Sequence, residues 1–265
     1  EGNELHPLSG GKLMAAEQAE LLGLYDPERL KGPVSRARGS DSAKAMDWAA
    51  LDAAVIERLK KVAAAGGSVR VLSGEVRSET TRKLIGEFLS NFRDGGHVEF
   101  SALAMDEVAM AQELSYGSAV VPAYRFDRAD YVLSLGADFL GTGPNALENS
   151  RAWASKRKLN GKGSDLSKMV AFESMMSVTG ANADERYPVR PGDELKIALA
   201  IANVLSSKGV AIPADAQASV SAHRPELVAR EIGMTDGGDK IRKVAAELLR
   251  NRGRSVVVAG GLSSK

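Results

Sequence analysis

The chain has no cysteine and only three histidines in 265 residues. Without thiolates, its own residues cannot form disulfides, zinc–thiolate sites or iron–sulfur clusters, and it has no cysteine nucleophile. His6, His97 and His223 are far apart in the sequence and have no serine or acidic partner at an informative spacing. We therefore predict no catalytic residue and no metal ligand in this chain.

A strong net charge and long apolar runs are also missing. The 35 basic and 34 acidic residues leave a net charge of +1, which predicts neither a nucleic-acid partner nor a charged membrane surface. No apolar run approaches the roughly 18–20 residues that a membrane-spanning helix needs, so no direct membrane span is expected. The chain shows no signal peptide and does not begin with Met. We interpret it as a fragment of a longer protein whose targeting signal lies outside it.

Short apolar strands alternate with helical segments along most of the chain. Strands are predicted at residues 68–73, 97–100, 131–135, 169–172 and 255–258. Helices are predicted at residues 13–24, 43–64, 79–92, 106–115, 145–158, 194–206 and 239–251. This alternation favours an α/β fold, with Rossmann-like parallel sheets that carry helices on both faces and form two lobes.

The predicted elements divide the chain into four regions. Residues 1–42 form an N-terminal extension and connector, and residues 43–100 with 236–265 form the first Rossmann-like lobe. Residues 101–210 form the second lobe, which carries the nucleotide-side loops, and residues 211–235 form a linker. Asp41 or Ser42 is expected to cap the helix over residues 43–64, and Ser78 to cap the helix that follows it.

A glycine-rich loop follows the predicted strand at residues 131–135. In parallel α/β proteins this position, at the carboxyl end of a strand, is where ligands bind. The sequence GTGP at residues 141–144 could hold a phosphate through its backbone N–H groups, or could only turn the strand into the next helix. Asp138 could accept hydrogen bonds from a ribose or a guanine, or could stabilise the loop as an Asx turn.

A second polar loop covers residues 179–193. Its Asn182 and Asp184 could read the edge of a nucleobase, and Asp193 is expected to cap the helix that begins at residue 194.

Two basic features have a simpler interpretation. The sequence SGGK at residues 9–12 lacks the spacing of a phosphate-binding loop, and the lysines and arginine of residues 156–168 favour a solvated face, with an anionic ligand or partner as the alternative.

Several segments, taken in order, resemble the molybdopterin oxidoreductase family. They are residues 2–13, LYDPER at 24–29, KGPV at 31–34, the strand and loop at 129–140, SVTGANAD at 177–184, VRPGD at 189–193 and the strand with its glycine turn at 255–261. The resemblance implies a pair of molybdopterin guanine dinucleotides with molybdenum or tungsten, and electron transfer with an iron–sulfur cluster. It assigns as cofactor-binding residues Gly136, Asp138, Thr142, Gly143, Asn182, Asp184, Arg190 and Asp193.

This chain departs from the family at the positions that carry the redox chemistry. Met14 stands where the family has a cluster-ligating cysteine, and a thioether cannot replace that thiolate. By family order the metal ligand should lie within residues 101–106, where only Ser101 and Asp106 could serve, and Asp106 is better explained as the start of a helix. We therefore expect no cofactor in this fragment, and iron–sulfur clusters only elsewhere in the parent chain.

Within the family, residues 124–144 resemble the iron–sulfur subunit of alternative complex III, in which this domain has lost its cofactor. The resemblance implies a structural domain of a quinol-oxidising respiratory complex on the periplasmic side of the inner membrane. Its partners would be cytochrome c and quinol-binding membrane subunits. Two alternatives stay open: a fragment of an active bis-molybdopterin guanine dinucleotide oxidoreductase, and an unrelated nucleotide-binding regulator.

Overall fold

The computed structural model describes residues 2–7, 9–76, 78–101, 106–159 and 166–260. The chain divides into two compact units. The small unit is Ala15–Ala104, and the large unit combines Glu1–Met14 with Met105–Lys265. Both units contain parallel strands and helices, so the predicted α/β class is confirmed.

The small unit contains a parallel strand pair and a short antiparallel one. Its elements are α1 (Ala15–Ala19), a 3-10 turn (Glu20–Leu24), β1 (Val34–Arg36), β2 (Ala43–Ala45), α2 (Trp48–Ala64), β3 (Ser68–Ser73), α3 (Glu79–Leu89) and β4 (Asp94–Glu99). Strands β1 and β2 are antiparallel, whereas β3 and β4 are parallel. Ser78 caps α3 as predicted, because its hydroxyl accepts the Thr81 N–H at 3.2 Å.

Two local predictions for the small unit are wrong. Helix α2 begins at Trp48 and is capped by Asp47, whose carboxylate accepts the Ala50 N–H at 2.7 Å. Asp41 and Ser42 are not its caps, because residues 43–45 pair with β1 as an exposed strand. Strand β4 begins at Asp94 and not at the predicted residue 97, since pairing with β3 fixes the backbone of Gly95 and Gly96.

The large unit has one parallel sheet and most of the buried residues. Its elements are α4 (Asp106–Tyr116), a 3-10 turn (Phe126–Arg128), β5 (Tyr131–Leu135), α5 (Ala146–Ser155), β6 (Lys168–Glu173), α6 (Val178–Ala181), β7 (Glu185–Pro188), α7 (Asp193–Ser207), α8 (Gln217–Ala222), α9 (Pro225–Glu231), α10 (Gly237–Arg250) and β8 (Ser255–Ala259). The strands lie in the order β7-β6-β5-β8 and are all parallel.

Helices cover both faces of this sheet, as the sequence predicted. On one face, Tyr131 and Leu133 pack with Ile197 of α7, Val228 of α9 and Ile241 of α10. On the other face, a second cluster of buried residues combines Phe126, Val132, Phe139, Trp153 and Met169. Because β5 and β6 are buried on both faces, their sequences read as continuous apolar runs.

The position of β8 differs from the predicted grouping of lobes. β8 pairs with β5 over five residues, so the end of the described chain belongs to the sheet of residues 101–210 and not to residues 43–100. Residues 211–235, predicted as a linker, contain α8 and α9, and α9 packs into the core of the large unit. Hydropathy shows that this segment is a strand, but it does not show which strand it pairs with.

Ion pairs hold the amino ends of the strands. Asp130, before β5, accepts Lys156 Nζ and Arg254 Nη1, each at 2.7 Å. Glu185, the first residue of β7, accepts Lys168 Nζ at 2.6 Å and Lys243 Nζ at 2.9 Å. Hydrogen bonds from Lys168 and Tyr187 oppose the effect of burial and lower the pKa of Glu185 to about 2.

The predicted basic face is therefore mostly paired with acids. Lys156 pairs with Asp130, Lys168 with Glu185, and Arg157 with Asp184 at 3.0 Å. Lys158 is exposed, and Lys162 lies outside the described residues.

Candidate functional site

The glycine-rich loop begins at the carboxyl edge of the large sheet. Gly136 follows β5 with φ +69°, and its N–H donates to the carbonyl of Phe172 on β6 at 2.8 Å. The positive φ favours glycine at this position. The loop after β6 and the start of α7 reach the same edge, which is the ligand-binding position of parallel α/β sheets.

Asp138 joins the loops that follow β5 and β6. Its Oδ1 accepts the N–H and the hydroxyl of Thr179 at 3.0 and 2.9 Å. Its Oδ2 accepts the N–H and the hydroxyl of Thr142 at 2.8 and 3.1 Å. Burial opposes ionisation of this carboxyl, but the four hydrogen bonds outweigh burial and lower the pKa of Asp138. Both oxygens are thus occupied by the protein itself.

The same residue engages the backbone of the predicted phosphate loop. The N–H groups of Gly141 and Gly143 donate to the carbonyl of Asp138 at 3.2 and 2.8 Å, and the N–H of Thr142 donates to its carboxylate. Gly143 packs closely against this turn, where an added Cβ would lie 2.9 Å from the Asp138 carbonyl oxygen. All three N–H groups that could cradle a phosphate are therefore used within the loop.

Glu173, at the end of β6, was missed by the sequence analysis. It is buried; Oε1 accepts the Ser177 N–H at 3.2 Å and Arg186 Nε at 2.5 Å, and Oε2 accepts the Ser177 hydroxyl at 2.6 Å. An acid at the carboxyl end of an apolar strand was a signal that could have identified it. Through these hydrogen bonds, Glu173 connects the loop after β6 to β7.

The start of α7 differs from the predicted arrangement at Asp193. Gly192 is the N-cap residue, and its N–H donates to Glu194 Oε2 at 2.7 Å, so the predicted capping role of Asp193 is wrong. Asp193 Oδ1 lies 3.2 Å from Lys196 Nζ. Asp193 Oδ2 and Glu194 Oε1 are buried and have no hydrogen-bond partner among the described residues. Glu194, which the sequence analysis missed, lies against Gly136.

The other predicted residues do not join this group. Asp184 lies at the opposite, amino edge of the sheet, where it accepts the Met169 N–H at 2.8 Å and pairs with Arg157. Asn182 is exposed and donates to the carbonyl of Val178 at 2.8 Å. Arg190 is exposed, and its side chain has no partner in the described part of the chain. A cofactor-binding role for these three residues stays a prediction.

One histidine has a serine partner that the spacing of the sequence did not reveal. In the small unit, parallel pairing brings His97 Nε2 to 2.8 Å from the Ser73 hydroxyl, although 24 residues separate them in the sequence. Glu99 Oε1 lies 3.8 Å from His97 Nδ1, which is too long for a hydrogen bond. The Ser73 hydroxyl also lies 2.7 Å from the carbonyl of Gly74. These side chains do not form a hydrogen-bonded catalytic relay.

The site does not fit the pyrophosphate of the dinucleotide that the resemblance implies. The loop donors are bound to Asp138, and the ionised carboxylate would repel a phosphate brought beside it. The two unpartnered acid oxygens at the start of α7 could accept hydrogen bonds, but they supply no donor. Across the described ranges, no group of three or more His, Cys, Asp or Glu side chains could hold a metal ion, and no described helix is long and apolar enough to cross a membrane.

Comparison with known sequences places this arrangement in a family. The family model of molybdopterin oxidoreductases matches residues 29–220. The chain is similar to the molybdopterin-binding-like subunit of menaquinone reductase from Nitratidesulfovibrio vulgaris, with 30% identity over 241 residues. The match covers 88% of this chain and 33% of that protein. The chain thus spans about a third of the length of this relative.

A more distant sequence relative and a solved structure are also similar to this chain. The molybdopterin-containing subunit ArrA of the arsenate respiratory reductase from Shewanella sp. is 25% identical over 79% of this chain and 24% of its own length. Acetylene hydratase from Pelobacter acetylenicus shares the fold, with a TM-score of 0.66 and 15% identity over 98% of this chain and 36% of its own. The alternative of a protein unrelated to this family is therefore excluded. The chain belongs to the molybdopterin oxidoreductase family.

Proposed function

We propose that this chain is a structural domain that binds no pterin cofactor, within an electron-transfer subunit of a quinol-oxidising respiratory complex. The observation that carries the proposal is the capture of the glycine-rich loop by Asp138, whose carbonyl and carboxylate bind all three N–H groups of Gly141, Thr142 and Gly143. A loop closed in this way stabilises the carboxyl edge of the sheet. The fragment itself then needs no catalytic residue.

The energy of this closure supports the proposal. A neutral hydrogen bond contributes about 0.5–1.5 kcal/mol, and one to a charged group about 1.5–3 kcal/mol. Freeing the three N–H groups for a pyrophosphate would therefore cost about 3–6 kcal/mol, or roughly 10²–10⁴ in affinity. Repulsion between the phosphates and the Asp138 carboxylate would add to this cost.

The partners follow from the relative and from the resemblance. The similar protein from Nitratidesulfovibrio vulgaris is named as a molybdopterin-binding-like subunit of menaquinone reductase. The relative is named for the reduction of a quinone, whereas our proposal concerns the oxidation of a quinol. Both assignments involve electron exchange with a quinone. We propose cytochrome c and quinol-binding membrane subunits as partners, the periplasmic side of the inner membrane as the location, and iron–sulfur clusters elsewhere in the parent chain, as in alternative complex III.

One observation favours the alternative, a fragment of an active bis-molybdopterin guanine dinucleotide oxidoreductase. Asp193 Oδ2 and Glu194 Oε1 are buried acceptors without partners among the residues that the structure describes. Buried acceptors of this kind are costly unless a donor binds them. The N–H groups of a guanine would satisfy both.

Titration with GDP and ADP separates the two functions. Our proposal predicts no saturable binding of either nucleotide to this chain, measured by isothermal titration calorimetry. The alternative predicts binding of GDP and not of ADP, and its loss in the variant Asp193→Asn/Glu194→Gln. Guanine-selective binding that disappears in this variant would contradict our proposal.

A further inference from the structure

An open cleft lies in the large unit, away from the glycine-rich loop. It has a volume of about 350 Å³ and is formed by the end of α7, the start of α9 and α10. Val204 and Pro225 supply apolar surface, and the charged residues Lys208, Arg224, Glu226 and Arg242 line it as well. None of these residues takes part in the site described above.

The charges of this cleft are unbalanced. Arg242 is paired with Glu226 and, at 3.0 Å, with Asp239. Lys208 and Arg224 have no hydrogen-bond or ion-pair partner for their side chains among the described residues. Three cations and one anion line the cleft, and Asp239 beside it is a second anion, so the local excess is one positive charge and the two cations without a partner are Lys208 and Arg224. This contrasts with the amino edge of the sheet, where Lys156 and Lys168 are each paired with an acid.

The exposure of the charged groups indicates the kind of ligand. Lys208 and Arg224 are exposed, and the side chains of Arg242 and Glu226 are 47% and 52% exposed. A small-molecule site usually buries about 70–90% of its ligand, which an open cleft with exposed charges does not do. Exposed cations beside a small apolar surface instead fit the acidic side chains of a protein segment, whose oxygens match the planar guanidinium of arginine.

We propose that this cleft binds an acidic segment of a partner protein, with two of its carboxylates at Lys208 and Arg224. The proposal does not depend on the cofactor state of the domain, and the GDP titration above does not test it. Because the charges are exposed, binding should weaken as the salt concentration rises. Steering by such charges acts mainly on the rate of association.

The test uses fluorescein-labelled hexaglutamate as the probe and fluorescence anisotropy in low salt as the readout. The unaltered chain should bind this peptide and not hexaglutamine. Lys208→Gln/Arg224→Gln should weaken binding roughly fivefold or more. The control Lys158→Gln/Arg252→Gln removes the same charge from exposed positions outside the cleft, and it should leave binding unchanged. Circular dichroism checks that both variants are folded.

Three results would overturn the proposal. The peptide does not bind, the two double variants weaken binding equally, or the cleft variant has no effect. A competition measurement then uses tripolyphosphate to displace the labelled peptide. If it displaces the peptide at far lower concentration than unlabelled hexaglutamate does, the cleft is a site for a small phosphate compound instead.

Discussion

Asp138 lies where an acidic side chain could either bind a ligand or stabilise the loop. Its carboxylate accepts four hydrogen bonds from Thr142 and Thr179, and its carbonyl accepts two more from the loop. Thr179 is fully buried, and its hydroxyl also accepts the N–H of Leu140 at 3.0 Å. Loss of this carboxylate would leave buried donors without acceptors.

We expect Asp138→Ala to lower the free energy of unfolding of the large unit by about 2–4 kcal/mol, since hydrogen bonds to a charged group are lost. Urea unfolding followed by the fluorescence of the buried Trp153, in a Trp48→Phe background, reports on this unit. Asp215→Ala, at an exposed position, should change it by less than about 0.5 kcal/mol. Equal effects of the two substitutions would show that Asp138 does not hold the loop.

Glu185 should make the stability depend on pH in the acid range. Its pKa is lowered to about 2 in the folded chain, so it binds its proton more readily when unfolded. Its contribution is therefore complete above its ordinary pKa of 4.5 and is lost as the pH falls toward 2. We expect Glu185→Gln to flatten the acid limb of a plot of unfolding free energy against pH. An unchanged slope between these pH values would contradict this assignment.

Gly180 is required because its backbone lies against the carboxylate of Glu173. An added Cβ would overlap Glu173 Oε1, which Ser177 and Arg186 hold in place. We expect Gly180→Ala to destabilise the large unit by about 1–3 kcal/mol through overpacking. Gly238→Ala is the control, because its Cβ would make only ordinary contacts, the nearest at 3.4 Å, inside α10. The same Trp153 unfolding assay measures both.

At the level of residues, the sequence located the loop after β5 but not the partners of its side chains, and the cofactor-binding roles of these residues stay predictions. A glycine after an apolar strand places Gly136 and Asp138 at the carboxyl edge, because the end of a strand can be read from hydropathy. The hydrogen bonds between Asp138 and Thr179 could not be predicted from the sequence, since 41 residues separate the two. Asp184 is near Asn182 in sequence, yet it lies at the opposite edge because the chain crosses the sheet between them.

At the scale of elements, the long helices were easier to predict than their first residues. Helices α3, α5, α7 and α10 all lie within a few residues of their predicted bounds, because apolar residues recur along them with helical spacing. Strand β7 was missed, since its sequence ERYP is polar and ends in proline. It forms because β6 offers a free edge for parallel pairing, which is a tertiary effect.

The cap of α2 gives a direct test at this scale. The carboxylate of Asp47 accepts the Ala50 N–H, whereas Asp41 lies in the turn between β1 and β2. We expect Asp47→Ala to destabilise the small unit by about 1 kcal/mol, the usual effect of losing an N-cap. Asp41→Ala should have no measurable effect. Urea unfolding followed by Trp48 fluorescence in a Trp153→Phe background compares them, and a larger effect of Asp41→Ala would contradict the observed start of α2.

At the scale of the whole molecule, the sheet order explains why the predicted lobes differ from the structure. The chain leaves the large sheet after β7, packs α7, α9 and α10 on one face, and returns to pair β8 with the other side of β5. Such long connections cannot be predicted from the local periodicity of the sequence. The alternation of strands and helices nevertheless predicted the α/β class, which the likeness to acetylene hydratase supports, and the match to residues 29–220 supports the family resemblance.

We propose that the domain keeps the fold of a molybdopterin enzyme and holds no cofactor. The most direct measurement is the molybdenum, tungsten and pterin content of the full-length native protein, purified from its own organism, by elemental analysis and pterin fluorescence after oxidation. We expect metal and pterin far below one per chain. Stoichiometric molybdenum or tungsten together with pterin would show that the protein binds the cofactor of its family.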